Sequence, residues 1–275
     1  MTIVISAGYA AAIGGDANNP HILWDDLGVT GTWSTGNGTE IEPASLLSTG
    51  TTYDPWIASP VFNSTSAVLV LPSAQAVTCI AIAAHNVATA GGIIRPFYST
   101  DGGGSWNSVA PAMVPTDNSA IMWLFSGAPA ATHWRISVFG QGSSNVEIGV
   151  AFVGNPLVID QRIYQGYAPP ITPNNVDLQS NVSEGGNLLG SSTVRKGSSA
   201  SASLTHINPS FLRASTWTGF QNHFNNGGGF FWAWRPTKYG DVFYSWREGA
   251  VIAPTNSGPK DYMSFDLNMR MYDQP

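Results

Sequence analysis

The chain has 275 residues and a net charge of −6, and only 10% of its residues are charged, against about 25% in a typical soluble domain. That balance, with 30 Gly and 18 Pro, excludes a basic nucleic-acid binder and fits a turn-rich β protein that buries surface in an assembly. No apolar run is long enough to cross a membrane as a helix, and the single cysteine, Cys79, excludes an internal disulfide.

The start of the chain, Met1 to Ile5, lacks the basic region and apolar core of a secretory signal. Residues 1–154 hold two basic side chains, Arg95 and Arg135, against nine acidic ones; residues 155–275 hold nine basic and eight acidic. This step predicts two domains, 1–154 and 155–275. The first reads as short strands between turns. Val68–Leu71 stops at Pro72, and Cys79–Ala84 is a continuous apolar run, as in a strand covered on both faces. Ile93–Tyr98 precedes the hairpin signal Asp101-Gly102-Gly103-Gly104. Ile121–Phe125, His133–Val138 and the alternating Val146–Val153 follow. Strands at this spacing suit a β-sandwich.

Several marks in order resemble the galactose-binding-like, or discoidin-like, jelly roll. They are Trp24 in Pro20-His21-Ile22-Leu23-Trp24, then Tyr53-Asp54-Pro55-Trp56, Ile80–Asn86, Tyr98–Trp106 and His133-Trp134-Arg135-Ile136. The resemblance spans residues 20 to 154. It implies loops at one end of the sandwich that bind sugars or lipid headgroups, and it leaves a structural Ca²⁺ open.

The second domain opens at Asn155-Pro156 and carries a Pro-rich connector, Tyr167 to Pro173. Asn208 as cap, Pro209 at the first helical position and apolar residues at Phe211, Ala214, Trp217, Phe220 and Phe224 predict one helix near 209–225, ended at Gly227. Strands follow at Phe230–Trp234, Val242–Trp246 and Tyr262–Tyr272. In the last, Met263, Phe265, Leu267, Met269 and Met271 alternate with polar residues, the pattern of a half-buried strand.

Phe230-Phe231-Trp232-Ala233-Trp234 packs four large aromatics into five residues without polar alternation, so both faces of the strand must be covered. Together with Ile163–Tyr167, Ser183–Gly186, the helix, Arg235-Pro236 and Met269–Tyr272, it resembles virion structural proteins of tailed bacteriophages, of the distal-tail or minor-tail type. The resemblance implies a small C-terminal β-barrel with one packed α-helix. It also implies a ring of three or six copies, contact with other tail proteins, and a virion assembled in the host cytoplasm. Phe230, Phe231, Trp232 and Trp234 are the expected assembly surface, with Tyr167, Pro169 and Pro170 as the second patch that a closed ring needs.

Chemistry is sparse. His21, His85, His133, His206 and His223 lie far apart without metal-like spacing, and read as hydrogen-bonded structural residues. The carboxylate pairs Asp25-Asp26 and Glu40/Glu42 could serve a glycan hydrolase or a Ca²⁺ site; solvated loop charge explains them as well. Trp33, Tyr53, Trp56 and Trp106 lie near turns and are the candidates for stacking on a sugar ring. The leading expectation is a non-enzymatic structural subunit with no cofactor. A lectin-like binder of a host-surface glycan and a glycan hydrolase are the alternatives.

Overall fold

The computed structural model describes residues 2–257 and 259–272; the outer ends of both expected domains, Met1 and residues 273–275, lie outside them. The first half contributes β1 (Thr2–Ile5), β2 (His21–Leu23), β3 (Thr32–Asn37), β4 (Thr39–Glu42), β5 (Trp56–Ser59) and β6 (Ser64–Gln75). It continues with β7 (Cys79–His85), β8 (Ile93–Ser99), β9 (Asn107–Ser108), β10 (Ile121–Leu124), β11 (Ala131–Phe139) and β12 (Val146–Gly154). The second half adds β13 (Leu157–Val158), β14 (Asn175–Val182), β15 (Leu188–Ile207), β16 (Phe230–Ala233), β17 (Phe243–Arg247), β18 (Thr255–Asn256) and β19 (Met263–Met271). Helices α1 (Ala7–Ile13), α2 (Pro209–Arg213) and α3 (Ser215–Asn225) complete the chain. The fold is mainly β.

Among the described residues the strands form three sheets, in the orders β1-β10-β7-β12-β5-β4, β3-β6-β11-β8-β9 and β13-β2-β16-β17-β19-β15-β14, with β18 beside β19 in the last. They stack in layers. Ile80, Ile82, Trp123, Ala151 and Val153 of the first sheet meet Leu69, Trp134, Ile136 and Val138 of the second in one core. The opposite face of the first sheet carries Cys79, Ala81, Ala83, Met122, Val150 and Phe152, which meet Phe231, Ala233 and Tyr244 of the third sheet. The far face of the third sheet packs Phe230, Trp232, Phe243, Leu267 and Met269 against Trp217, Phe220 and Phe224 of α3.

This layering explains the unalternating runs. All seven residues of β7 are buried because sheet covers both of its faces. Its side toward the third sheet is small, Cys79, Ala81 and Ala83, which leaves room for the rings of Phe152, Phe231 and Tyr244. Tyr244 ties the layers further, donating from its hydroxyl to the Gly50 carbonyl at 2.6 Å.

Three expectations change. Among the described residues the sheet of the second half does not close into a barrel, since β13 and β14 are its edges. The single helix is two, because Ala214 is extended at ψ 142°; Asn208 does cap the first, accepting from Ser210 N at 2.9 Å. And β2, counted by sequence with the jelly roll, lies in the third sheet, where Ile22 pairs with Trp232 and with Leu157. A cut at residue 154 would therefore take β2 from its partners.

Candidate functional site

Glycine chemistry shapes a groove at one edge of the sandwich. Gly38 stands between β3 and β4 at φ +103°, a conformation that L side chains rarely adopt. It passes the chain from the second sheet to the first and folds Glu40 back onto β3. The Thr35 hydroxyl donates to Glu40 Oε2 at 2.6 Å, and Ala44 N donates to the same oxygen at 3.1 Å. Behind them Trp56 Nε1 donates to Thr35 Oγ1 at 2.9 Å. Trp56 is fully buried, so the relay anchors an exposed carboxylate to the core.

The groove has a volume of about 440 Å³ and is lined by Trp33, Ser34, Thr35, Gly38, Glu40, Pro43, Ala44 and Ser45. Ligand sites commonly occupy about 300–1,000 Å³. Trp33 forms a wall and is only 6% exposed. Among the described residues its Nε1 finds no partner, and neither does Asp26 Oδ2. Both border Gly28, where a Cβ would sit 2.6 Å from the indole nitrogen and 2.7 Å from the carboxylate. Asp26 Oδ1 accepts from Gly28 N at 2.9 Å and Val153 N at 3.0 Å. Burial pushes the Asp26 carboxyl up to about 7, against these two hydrogen bonds, with Asp25 adding slightly to the rise.

The four candidate aromatics separate. Trp33 and Trp56 converge through Thr35, the first on the groove and the second behind it. Tyr53 is 89% exposed and does not line the groove. Trp106 lies on the outer face of the second sheet, where the Arg135 guanidinium sits 4.2 Å from its ring centre and 4.6 Å from that of Phe97. Arg95 flanks Phe97 at 5.5 Å. The only two basic side chains of residues 1–154 thus share one aromatic strip. Arg135 and Phe97 are directly opposed on β11 and β8, a placement that needs the register and is invisible in sequence. Arg95 is held by Ala110 O at 3.0 Å and Ser108 Oγ at 2.7 Å, and Trp106 is covered on one face.

The four candidate acids separate too. Asp26 is buried and Asp25 and Glu42 are exposed elsewhere, so of the four Glu40 alone is among the described residues that line the groove. Among the described residues no group of three or more His, Cys, Asp or Glu could hold a metal ion. Each histidine has a ring nitrogen in hydrogen-bond contact: His21 with Asn19 O, His85 with Ser119 O, His133 with Thr132 Oγ1, His206 with Thr205 Oγ1 and His223 with Gly229 O.

The expected assembly surface is interior. Phe230, Phe231 and Trp232 have no exposed area. Phe230 and Trp232 face the helix layer as alternation requires, but Phe231 faces this chain's own first sheet rather than a neighbouring subunit. Trp234 and Tyr167 are half-buried against each other at 5.1 Å, and the Tyr167 hydroxyl accepts from Trp232 Nε1 at 2.8 Å. Pro170 is buried and Pro169 half-buried, so the connector packs on its own chain. Sequence reasoning missed Ser34, Thr35 and Ser45, common polar residues with no spacing to mark them.

No family model matches the chain, and no curated protein matches it. Solved structures similar to part of it include a Ruminococcus gnavus GH29 fucosidase in complex with fucose, at 10% identity and a TM-score of 0.40, covering 48% of this chain and 27% of that one. Another is a Clostridium perfringens CBM32 module in complex with GalNAc-beta-1,3-galactose, at 11% identity and a TM-score of 0.41, covering 47% of this chain and 99% of that one. A third is a chitosan-binding module from a Paenibacillus chitosanase/glucanase, at 17% identity and a TM-score of 0.40, covering 47% and 98%. This chain spans about a quarter of the fucosidase's length.

Proposed function

We propose that this protein is a non-enzymatic glycan binder whose site is the groove between Trp33 and Glu40. The observation that carries it is the fixed Glu40 carboxylate. Thr35 and Ala44 hold one oxygen, so the other is aimed without further ordering cost, beside an indole wall and the exposed hydroxyls of Ser34 and Ser45. Sugars present vicinal hydroxyls, which a carboxylate and two serine hydroxyls match, and the small exposed part of Trp33 closes the groove beside them. A glycosidase needs two carboxyl groups about 5–9.5 Å apart around one bond, and this groove is lined by one. A second reading, a structural subunit of a phage tail tip, is favoured by the solvent-exposed ribbon of β14 and β15. The two readings are compatible, with the sandwich displayed on the outside of a particle.

The test is a glycan array probed with the full chain and with Glu40→Ala. The expected result is a related set of glycans bound by the unaltered chain and lost in the variant. Absence of binding, or binding indifferent to Glu40→Ala, overturns the assignment.

A further inference from the structure

We propose that β14 is a self-association edge, pairing antiparallel with β14 of a second copy about a twofold axis at Gln179. Among the described residues β14 pairs only with residues 188–197 of β15, and the remainder of β15 pairs with β19. The two strands therefore project from the third sheet as a ribbon. Every residue from Val176 to Val182 and from Leu188 to Val194, outside the turn, is exposed. Six of the chain's exposed large apolar side chains lie here: Val176, Leu178, Val182, Leu188, Leu189 and Val194, between 40% and 69% exposed. A two-stranded ribbon is marginal alone, and three or more strands with an apolar face are needed for stability.

The free edge is suited to pairing. Natural edges are blunted by proline, lysine or bulges. β14 contains neither proline nor lysine and has one charged side chain, Asp177, and both irregularities in the ribbon put the extra residue on β15, at Val194 and Leu189. Its outer row of peptide groups is thus left regular.

The occupant follows from the sequence of the edge itself. Antiparallel pairing about Gln179 sets Val176 opposite the partner's Val182, Leu178 opposite the partner's Ser180, and Asp177 opposite the partner's Asn181. Valine meets valine on one face, and Asp177 avoids its own copy. Residues 175–197 carry two acidic and two basic side chains, so two ribbons do not repel. A twofold contact needs such self-complementarity. Val176, Leu178 and Val182 lie on the pairing strand itself and Leu188, beside Val182, continues their face, so the contact is carried by edge hydrogen bonds and these side chains and is smaller than the about 800 Å² per partner of a standard interface.

The test uses the full chain in sedimentation equilibrium, with circular dichroism to check folding. The unaltered chain is expected to be a dimer of 29.1 kDa subunits. Leu178→Lys with Ser180→Lys sets lysine against lysine in both symmetry-related pairs and is expected to give monomers. Leu178→Lys with Ser180→Glu sets opposite charges there and is expected to restore the dimer. A Gln179→Cys variant is expected to cross-link to itself on oxidation, while Val194→Cys is not; Cys79 is buried and silent. A monomeric or trimeric unaltered chain, or a dimer indifferent to both charge variants, overturns the proposal. So does a ribbon that binds only a different protein.

Discussion

Phe152 of β12 and Phe231 of β16 meet edge to face, with ring centroids 5.4 Å apart and planes at 75°. This pair joins the sandwich to the third sheet. Residues 79 apart in sequence thereby share one core, and the layers are expected to unfold together. Replacing Phe231 by Ala is expected to cost about 3–5 kcal/mol, the usual range for a buried phenylalanine. A single denaturant transition, shifted as a whole, is the expected reading. Two separated transitions would show that the layers fold independently.

The same contact bears on truncation. A fragment of residues 1–154 would expose Ala81, Ala83, Met122 and Phe152 and leave β2 unpaired. It is expected to aggregate or bind a hydrophobic dye, as large exposed apolar patches do. A soluble, cooperatively unfolding fragment would show that the sandwich stands alone.

Gly229 lies under the Tyr244 ring, and a Cβ there would run into it. Gly229→Ala is expected to displace the ring, break the Tyr244–Gly50 hydrogen bond and cost about 1–3 kcal/mol. Thermal melts of Gly229→Ala and Tyr244→Phe check this, the second losing only the hydrogen bond and about 1 kcal/mol.

Stability should depend on pH through His21, His85 and Asp26, all buried, and through Asp160. Burial pulls His21 and His85 down to about 4, against hydrogen bonds to Asn19 and Ser119. Both stay neutral when folded while the unfolded chain protonates them below about 6.5, so their contribution is full above 6.5 and is lost as pH falls toward 4. Asp26, raised to about 7, has the opposite sign: its contribution is present below about 4 and is lost as pH rises to 7. Asp160 is raised as well, first by burial, and acts on the same side as Asp26. The two histidines together outweigh Asp26 and the half-buried Asp160, and stability is expected to rise from pH 4 to 6.5. Asp26→Asn is expected to steepen that rise, measured by urea unfolding across the range. A slope unchanged by the substitution would show that Asp26 ionises normally.

Thr35 positions Glu40 and also accepts from Trp56. Thr35→Val is expected to weaken glycan binding roughly tenfold and to cost about 1–3 kcal/mol of stability, because Trp56 Nε1 is left buried and unpaired. Thr35→Ser, which keeps the hydroxyl, is expected to restore both. Titration calorimetry and melts of the two variants check the pair.

Local patterns were legible and distant partners were not. The alternation from Met263 to Met271 reads directly as β19, with Phe265, Leu267, Met269 and Met271 buried. The runs at Cys79–Ala84 and Phe230–Trp234 show that both faces are covered, but not by what; on one face each run covers the other, and the second sheet and α3 cover the remaining faces. β2 is three residues long, and its partner β16 lies some 200 residues away, so no local signal assigns it. The break at Ala214 carries no proline or glycine to mark it. The ribbon of β14 and β15 has no buried face and hence no periodic pattern to read. In the groove, Trp33 and Glu40 stood out singly, but Thr35 is ordinary in sequence, and only the Gly38 turn brings the three together.

The most direct test of glycan binding in the groove is a crystal structure of the full chain with the best glycan from the array. The expected result is a sugar in the groove beside Trp33, with a hydroxyl within about 3 Å of Glu40. A sugar bound on the Trp106–Arg135 strip, or anywhere else with the groove empty, would contradict it.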